Sequence, residues 1–522
     1  MAGLAAYLAA ALFLARPLAS ELTRAVPSHW EADVVHQLWV QWWFAESFHS
    51  GRPLFHTDVI HYPQVVNLQL ADLNLALNTA FYLIERALGT TLAWNALLLA
   101  SLVLAGAATW ALCARFSGRA DAGWLAGLCF AASCFWRACV GNAWLYLVQI
   151  WVLPLALLAA WRALRTRRVR DAALAGATVG LAFHVSPYFF VDLVLLGAAL
   201  APWYVSGLRG WLRAPGGALR AAASAGVLLA LVLPRALPMW RAAGADLLIH
   251  SSADAAHLAA QPAELLWPWS SARDASPAWG FRGDYLGALL VALAACGAVS
   301  GPRRRLTPWL FGAAVCLLLA LGPFVTLFGV RVPLPGVALA HAPGFSLLSN
   351  PWRFVAPALL ALSLPAAAGA AALARLADSR ARGAGAALVA SLGLLHVLDV
   401  GFAPPLPLDL PLWRDEPAPI ALRLRDLSDV HAVLDLSRHS KRNQLVHGKA
   451  IVSGWLPRLP RAVEQETVRF VESVRRAPPA ERADRLGRAG IGAVIRDDTS
   501  GSLIRPDPER PGGFREEPLR VP

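Results

Sequence analysis

Between Ser28 and Pro63 the chain reads SHWEADVVHQLWVQWWFAESFHSGRPLFHTDVIHYP. This stretch holds Glu31, Asp33, Glu46 and Asp58, the five histidines His29, His36, His49, His56 and His61, and four tryptophans. A carboxylate can take the proton of an attacking hydroxyl, and a neutral imidazole can share a hydrogen bond or ligate a metal. Only 16% of the whole chain is charged and both flanks are apolar, so the island is a candidate site by position alone. His36 follows Asp33 by three residues, which puts both on one face if 34–49 is a helix. His36, Asp58 and His61 together would make a mixed N/O set for a divalent cation. No HxxxH or HExxH spacing accompanies them, so the expectation is no cofactor, with a divalent metal as the open alternative. Hydrogen-bonded histidines at a membrane interface would account for the same residues.

The elements that must hold this island are membrane helices. A soluble domain averages about 25% charged residues; here the figure is 16%, with 57% hydrophobic. Apolar segments fall at 4–20, 92–114, 120–138, 144–162, 171–185, 187–206, 219–238, 284–301, 306–322, 352–376 and 384–402. About 20 apolar residues cross the ~30 Å hydrocarbon core, so the sequence predicts an all-α polytopic membrane protein of eleven spans. The first segment lacks a basic n-region and a small-x-small site, which reads as an uncleaved span. The net charge of +13 is carried almost wholly by arginine, with Lys441 and Lys449 the only lysines. That arginine clusters in short turns, which is the positive-inside pattern and not a nucleic-acid surface. The six cysteines all lie in or beside apolar segments without a CxxC pair, so they read as buried thiols.

Arginine turns at 115–119, 162–170, 209–220, 303–305 and 375–382 fix the topology. All five fall on the cytoplasmic side only if 69–88, which carries Asp72, Asn74, Asn78, Glu85 and Arg86, lies in the interface as an amphipathic helix. The N-terminus is then cytoplasmic and the C-terminus outside. The outer face receives 21–91, the turn at Gly141-Asn142, the loops 239–283 and 323–351, and the tail. Chemistry is expected there, because the inner face receives only short basic turns.

Pro404, Pro405, Pro407 and Pro411 mark a linker, taken as 403–414, that separates a transmembrane domain (1–402) from a tail at 415–522. In the tail VHAVLDLS (430–437) and IGAVIRDD (491–498) read as strands and QETVRFVESVRRA (465–477) as an amphipathic helix. A small external α/β domain follows, loosely ordered beyond about 500 where Pro, Gly and charge dominate.

A first span, an outside loop with an acidic residue ahead of tryptophans, a YP element and an interfacial helix together resemble the GT-C superfamily of integral membrane glycosyltransferases. Bacterial members of it carry an Asp six residues before a Trp, matched here by Asp33 and Trp39, and later a YP pair, matched by Tyr62-Pro63. Relatives have Gly before the Asp and shortly after YP; Ala32 and Val65-Val66 stand here instead. GNAWLYLVQIWVLPLALL (141–158), SPYFF (186–190), GDYLGALLVAL (283–293), PGFSLLSNPWRF (343–354) and QLVHGKAIVSGW (444–455) resemble further family elements in the same order.

The resemblance implies an inverting glycosyltransferase in a bacterial inner membrane. It would move a sugar from a polyprenyl-phosphate donor to a glycan, lipid or protein acceptor outside. Asp33 is then the catalytic base, with Glu31 as substitute, and capping the 34–49 helix is the structural alternative for Asp33. His61 and Tyr62 beside the sugar phosphate, His36, Asn142 at the turn where some members place a second carboxylate, Asp284 and Arg353 are the substrate-binding candidates. Pairing of Arg282 with Asp284 and lipid-headgroup anchoring by Arg353 are the bland readings. Trp39, Trp42 and Trp43 read first as an aromatic belt at the interface, and His447, Lys449 and Arg442 as groups that can touch substrate. A non-catalytic scaffold or a lipid-linked-sugar flippase in envelope assembly is the alternative function.

Overall fold

The computed structural model describes the chain except Met1, 245–246, 248–257, 269–280, 328–329, 341–349 and 520–522. The PGFSLLS part of 343–354 and parts of the two large loops lie outside the described residues. The chain divides into two compact units: Met1–Glu31 with Asn74–Ala236 and His250–Trp413, and Ala32–Leu73 with Leu237–Ile249 and Arg414–Pro522. The first is helical. The second joins the polar island to the tail.

In the helical unit every apolar segment found in the sequence carries helix. Among the described residues six helices are long and apolar enough to cross a membrane: Thr90–Ser117, Ala120–Gly141, Pro187–Arg213, Gly217–Ala242, Pro351–Asp378 and Ala384–Phe402. Ala2–Leu14 and Ala288–Ser300 are apolar but have 13 residues each, about 20 Å against a ~30 Å core. Length and composition therefore give six candidate crossings where the sequence predicts eleven. The chain is a multi-pass membrane protein. Burial separates the centre from the rim: the apolar windows of Ala120–Gly141 and Pro351–Asp378 are 94% and 89% buried, that of Gly217–Ala242 only 17%. The rim helices expose Val194, Trp203, Leu229 and Leu237, as a lipid-facing surface requires.

Ala288–Ser300 crosses Val355–Asp378 at backbone contact. A Cβ on Gly297 would meet the Pro365 carbonyl oxygen at 2.0 Å, and one on Gly369 the Leu293 oxygen at 2.1 Å. Small residues are what let membrane helices approach this closely. The turns also pair. Arg119 bonds Asp121 at 3.0 Å and Asp378 at 2.9 Å, joining two arginine turns, and Arg220 donates to the Arg167 and Trp211 carbonyls, joining two more. The segment expected as an interfacial helix forms Leu75–Leu88, 14 residues long and too short to span.

The second unit is α/β. Its five-stranded sheet runs Phe514–Leu519, Gly501–Pro506, Ile491–Ile495, Ala432–Asp435, Ala450–Ile451. The Ala432–Asp435 strand pairs parallel with both of its neighbours, and Gly501–Pro506 pairs antiparallel with both of its own. The two tail strands read from sequence are present, and Arg461–Arg476 is the amphipathic helix. Beyond 500 the expectation of loose order fails. Gly501–Pro506 and Phe514–Leu519 form a hairpin, and Glu516 gathers Arg482 at 2.7 Å, Ser502 at 2.6 Å and Arg496, so the charge that suggested disorder is paired.

The island's backbone extends the sheet edge. Ile60 bridges Ile451 in parallel, the Ile451 N–H donates to the Val59 oxygen at 2.9 Å, and Tyr62 N–H donates to the Ile451 oxygen at 3.0 Å. The tryptophans follow it inward. Trp39 and Trp43 are fully buried against Val59, Ile60, Leu434, Ile451 and Ile491. The aromatic-belt reading is thus overturned for both: a rim position needs one wet end, and these rings have none.

Candidate functional site

The Glu31–Ser50 helix begins at Glu31, three residues ahead of the expected start. Asp33 is therefore inside the first turn and is not the cap. Both carboxylates sit where the helix macrodipole favours negative charge, and both are half-exposed. One turn on, the helix carries His36 into the core, 2% exposed.

His36 is the middle of a buried chain of ionisable groups. Lys441 Nζ lies 2.8 Å from His36 Nδ1 and donates to the Trp455 carbonyl at 2.8 Å. His36 Nε2 faces Asp72 Oδ2 at 3.4 Å, and Asp72 Oδ1 lies 3.9 Å from Arg458. The lysine also stands 4.8 Å over the Trp39 ring. Burial pushes the Lys441 amine down to about 7, with Asp72 opposing the shift. Burial likewise holds His36 down to about 4, helped by Lys441. His36 is thus neutral at pH 7; with Nδ1 accepting from Lys441, its proton sits on Nε2, toward Asp72.

His61 adopts a left-handed backbone, φ 60°, and is 4% exposed, with Nδ1 3.0 Å from Thr467 Oγ1. Burial first, and Lys441 as well, lower it to about 4. The Tyr62 ring is half-buried, edge-on to His431 at 5.8 Å. Asp58 pairs with Arg52 at 3.9 Å. The three residues of the metal reading thus have three different partners. Among the described residues no three His, Cys, Asp or Glu side chains are grouped to hold a metal ion.

Tail residues read as substrate contacts are engaged elsewhere. His447, 5% exposed, accepts from the Lys449 N–H at 3.0 Å; Lys449 Nζ donates to the Leu427 oxygen at 2.6 Å, and Arg442 pairs with Asp415 at 3.5 Å. Gln444 of the same motif accepts from Trp39 Nε1 at 2.8 Å and donates to Val59 at 2.6 Å. The motif fastens the island; Gly448 closes the Ser440–His447 helix at φ 69°, where a side chain would be strained.

The helical unit holds the other candidates. Arg353, 7% exposed, lies 4.5 Å from the Tyr188 ring centroid, 5.1 Å from Trp144 and 6.0 Å from Tyr146. Stacking fixes the guanidinium plane while its N–H edge is the part that recognises phosphate. Asp192 is within its electrostatic reach. Trp144 also packs on Trp352 at 5.9 Å, so the turn after Gly141-Asn142 and the NPWRF segment form one aromatic cluster. Asn142 is fully buried, donating to the Phe281 oxygen at 2.7 Å and accepting its N–H at 2.8 Å. His29 also bonds this turn, 3.1 Å from the Gly141 oxygen. Asp284, 3% exposed, has Arg282 at 3.8 Å, and Arg282 reaches both oxygens of Glu264 at 3.1 Å.

Sequence reasoning missed Lys441, Asp72 and Arg458 as one network. The available signal was a lysine, one of only two, in a chain that otherwise uses arginine.

No protein-family model and no curated protein matches the sequence. Solved structures do. The apo oligosaccharyltransferase of Archaeoglobus fulgidus superposes with a TM-score of 0.51 at 12% identity, covering 94% of this chain and 69% of that one. The archaeal oligosaccharyltransferase AglB from the same organism, in complex with an inhibitory peptide and a dolichol-phosphate, gives 0.48 at 12% identity over 94% and 68%. ArnT from Cupriavidus metallidurans bound to undecaprenyl phosphate gives 0.45 at 12% identity over 86% and 85%. The likeness to the first is one of fold.

Proposed function

We propose that the chain is an inverting glycosyltransferase, moving a sugar from a polyprenyl-phosphate donor to an envelope acceptor outside a bacterial inner membrane. The observation that carries this reading is the fold, held in common with an oligosaccharyltransferase over 94% of the chain. The pairing of arginine turns at common helix ends supports a cytoplasmic N-terminus and an external tail.

In the reaction, the acceptor hydroxyl oxygen attacks the anomeric carbon and the bond from that carbon to the phosphate oxygen breaks. Asp33 takes the hydroxyl proton, and the carrier leaves as polyprenyl phosphate. Glu31, in the same helical turn, is the reserve base. Arg353 takes the phosphate charge, and its aromatic cage keeps the guanidinium oriented before the charge develops. Tyr62 is exposed enough to reach a ligand. His36, His61, Asn142 and Asp284 are each under 5% exposed, so we assign each a structural role within its own unit.

The test is transfer by purified protein in lipid nanodiscs, presented with a panel of polyprenyl-phosphate sugars and cell-envelope acceptors. The reading expects release of free polyprenyl phosphate with at least one donor, and a product of opposite anomeric configuration. Movement of lipid-linked sugar across the bilayer without release would favour the flippase, and neither activity the scaffold.

A further inference from the structure

The second unit contains a cavity of about 490 Å³ that the proposed reaction does not use. Three separated stretches of that unit line it. His56 and Asn67 are directly opposite each other in the short hairpin, so both side chains fall on one face. Gln69 follows them. Arg241 stands in the last turn of the Gly217–Ala242 helix, and the next strand-like contact, Leu247 with Pro460, closes a wall beside Arg458.

Every polar side chain in the lining carries at least one N–H donor. Two guanidiniums carry fixed positive charge, and no carboxylate is among the described lining residues. Asp72, 3.9 Å from Arg458, offsets one of the two, and Arg458 also donates to the Leu70 oxygen at 3.2 Å. Asn67 Oδ1 accepts the Gln69 N–H at 2.9 Å, an anchor that leaves the Asn67 NH2 group to donate to a ligand. Arg458 itself holds φ +57°. Non-glycine residues kept in that region are strained, and such outliers gather at ligand clamps.

We propose that this cavity binds a phosphate-bearing ligand. Its volume falls in the roughly 300–1,000 Å³ range of small-molecule sites, which suits a phosphorylated sugar or a lipid headgroup and exceeds what a bare anion fills. Arg241 and Arg458 neutralise the phosphate, and the amides of Asn67 and Gln69 orient it. The inference rests on the second unit alone and stands whether or not the chain transfers sugars.

Calorimetric titration of the full-length protein in phosphatidylcholine nanodiscs with glucose 1-phosphate tests it, with Arg241→Gln as the variant. Arg241 is exposed, so the substitution leaves the fold intact. The expected result is saturable binding, weakened at least about tenfold in R241Q, the loss of one charge-assisted contact. Repeating it in discs doped with phosphatidylglycerol separates the sources: displacement of the sugar phosphate assigns the cavity to a lipid headgroup, and undiminished binding to a soluble ligand. Absence of saturable binding in phosphatidylcholine discs, or equal affinity in R241Q, overturns the proposal.

Discussion

The two units bury charge in different ways. In the helical unit, the buried Arg137 and Arg220 meet backbone carbonyls. Arg137, fully buried, donates to the oxygens of Leu14, Val400, Pro407 and Leu408, two of which belong to helix C-terminal turns. Arg220 does the same with Trp211 and Arg167. Helix ends leave orphan carbonyls, and where water is scarce a guanidinium satisfies several at once. In the second unit, ionisable side chains meet one another, as in the row Arg458, Asp72, His36, Lys441. A carbonyl does not titrate and a carboxylate does. The contacts of Arg137 and Arg220 are thus fixed, while the Asp72–His36–Lys441 row responds to pH.

The sharpest break of that comparison separates rate from stability. Arg353→Met is expected to lower sugar transfer by about 100- to 1,000-fold, the loss of one preorganised oxyanion donor, with the melting profile unchanged. A melting shift with normal turnover would make Arg353 a structural cation like Arg137.

Acid should act on the second unit first. His36 and His61 have folded-state values of about 4 against about 6.5 unfolded. Folding is therefore unaffected above pH 6.5 and loses stability as pH falls from 6.5 to 4, by on the order of 3 kcal/mol for each group. Tryptophan fluorescence of Trp39 and Trp43 on acid titration reports it. Transitions that leave those rings untouched down to pH 4 would contradict the assignment.

Lys441 has the same sign in a higher window. Its amine sits at about 7 folded and 10.5 unfolded, so its burial penalty is present below pH 7 and fades as pH rises to 10.5. Lys441→Met should abolish that rise in stability, leaving a profile flat from pH 7 to 10 in chemical denaturation. A rise of wild-type size in the variant would show that another group carries it. The smallest effect is expected for Trp39→Phe, which removes the indole bond to Gln444. About 1–2 kcal/mol of stability should be lost, recorded as a lower denaturation midpoint.

The sequence made the helices legible because the spans are long and apolar, and the strand at 432–435 because VLD sits in a short apolar run. Arginine positions were legible as turns. What could not be read was which distant residues meet. Trp39 and Gln444 are 405 positions apart, and nothing in either neighbourhood announces the other. For that reason Trp39 looked like an interfacial ring and Lys441 like an ordinary charge. The 501–519 hairpin was missed because its strands carry paired Arg and Glu, which lowers apparent hydrophobicity without exposing anything unpaired.

The central claim is that Asp33 takes the acceptor's proton. Its most direct test compares Asp33→Asn with Glu31→Gln in the nanodisc transfer assay, on whichever polyprenyl-phosphate sugar the wild type uses. Loss of a general base typically lowers turnover by about 100- to 10,000-fold. D33N is expected to show that loss with unchanged melting, while E31Q transfers at close to the wild-type rate. Full transfer by D33N would contradict the account.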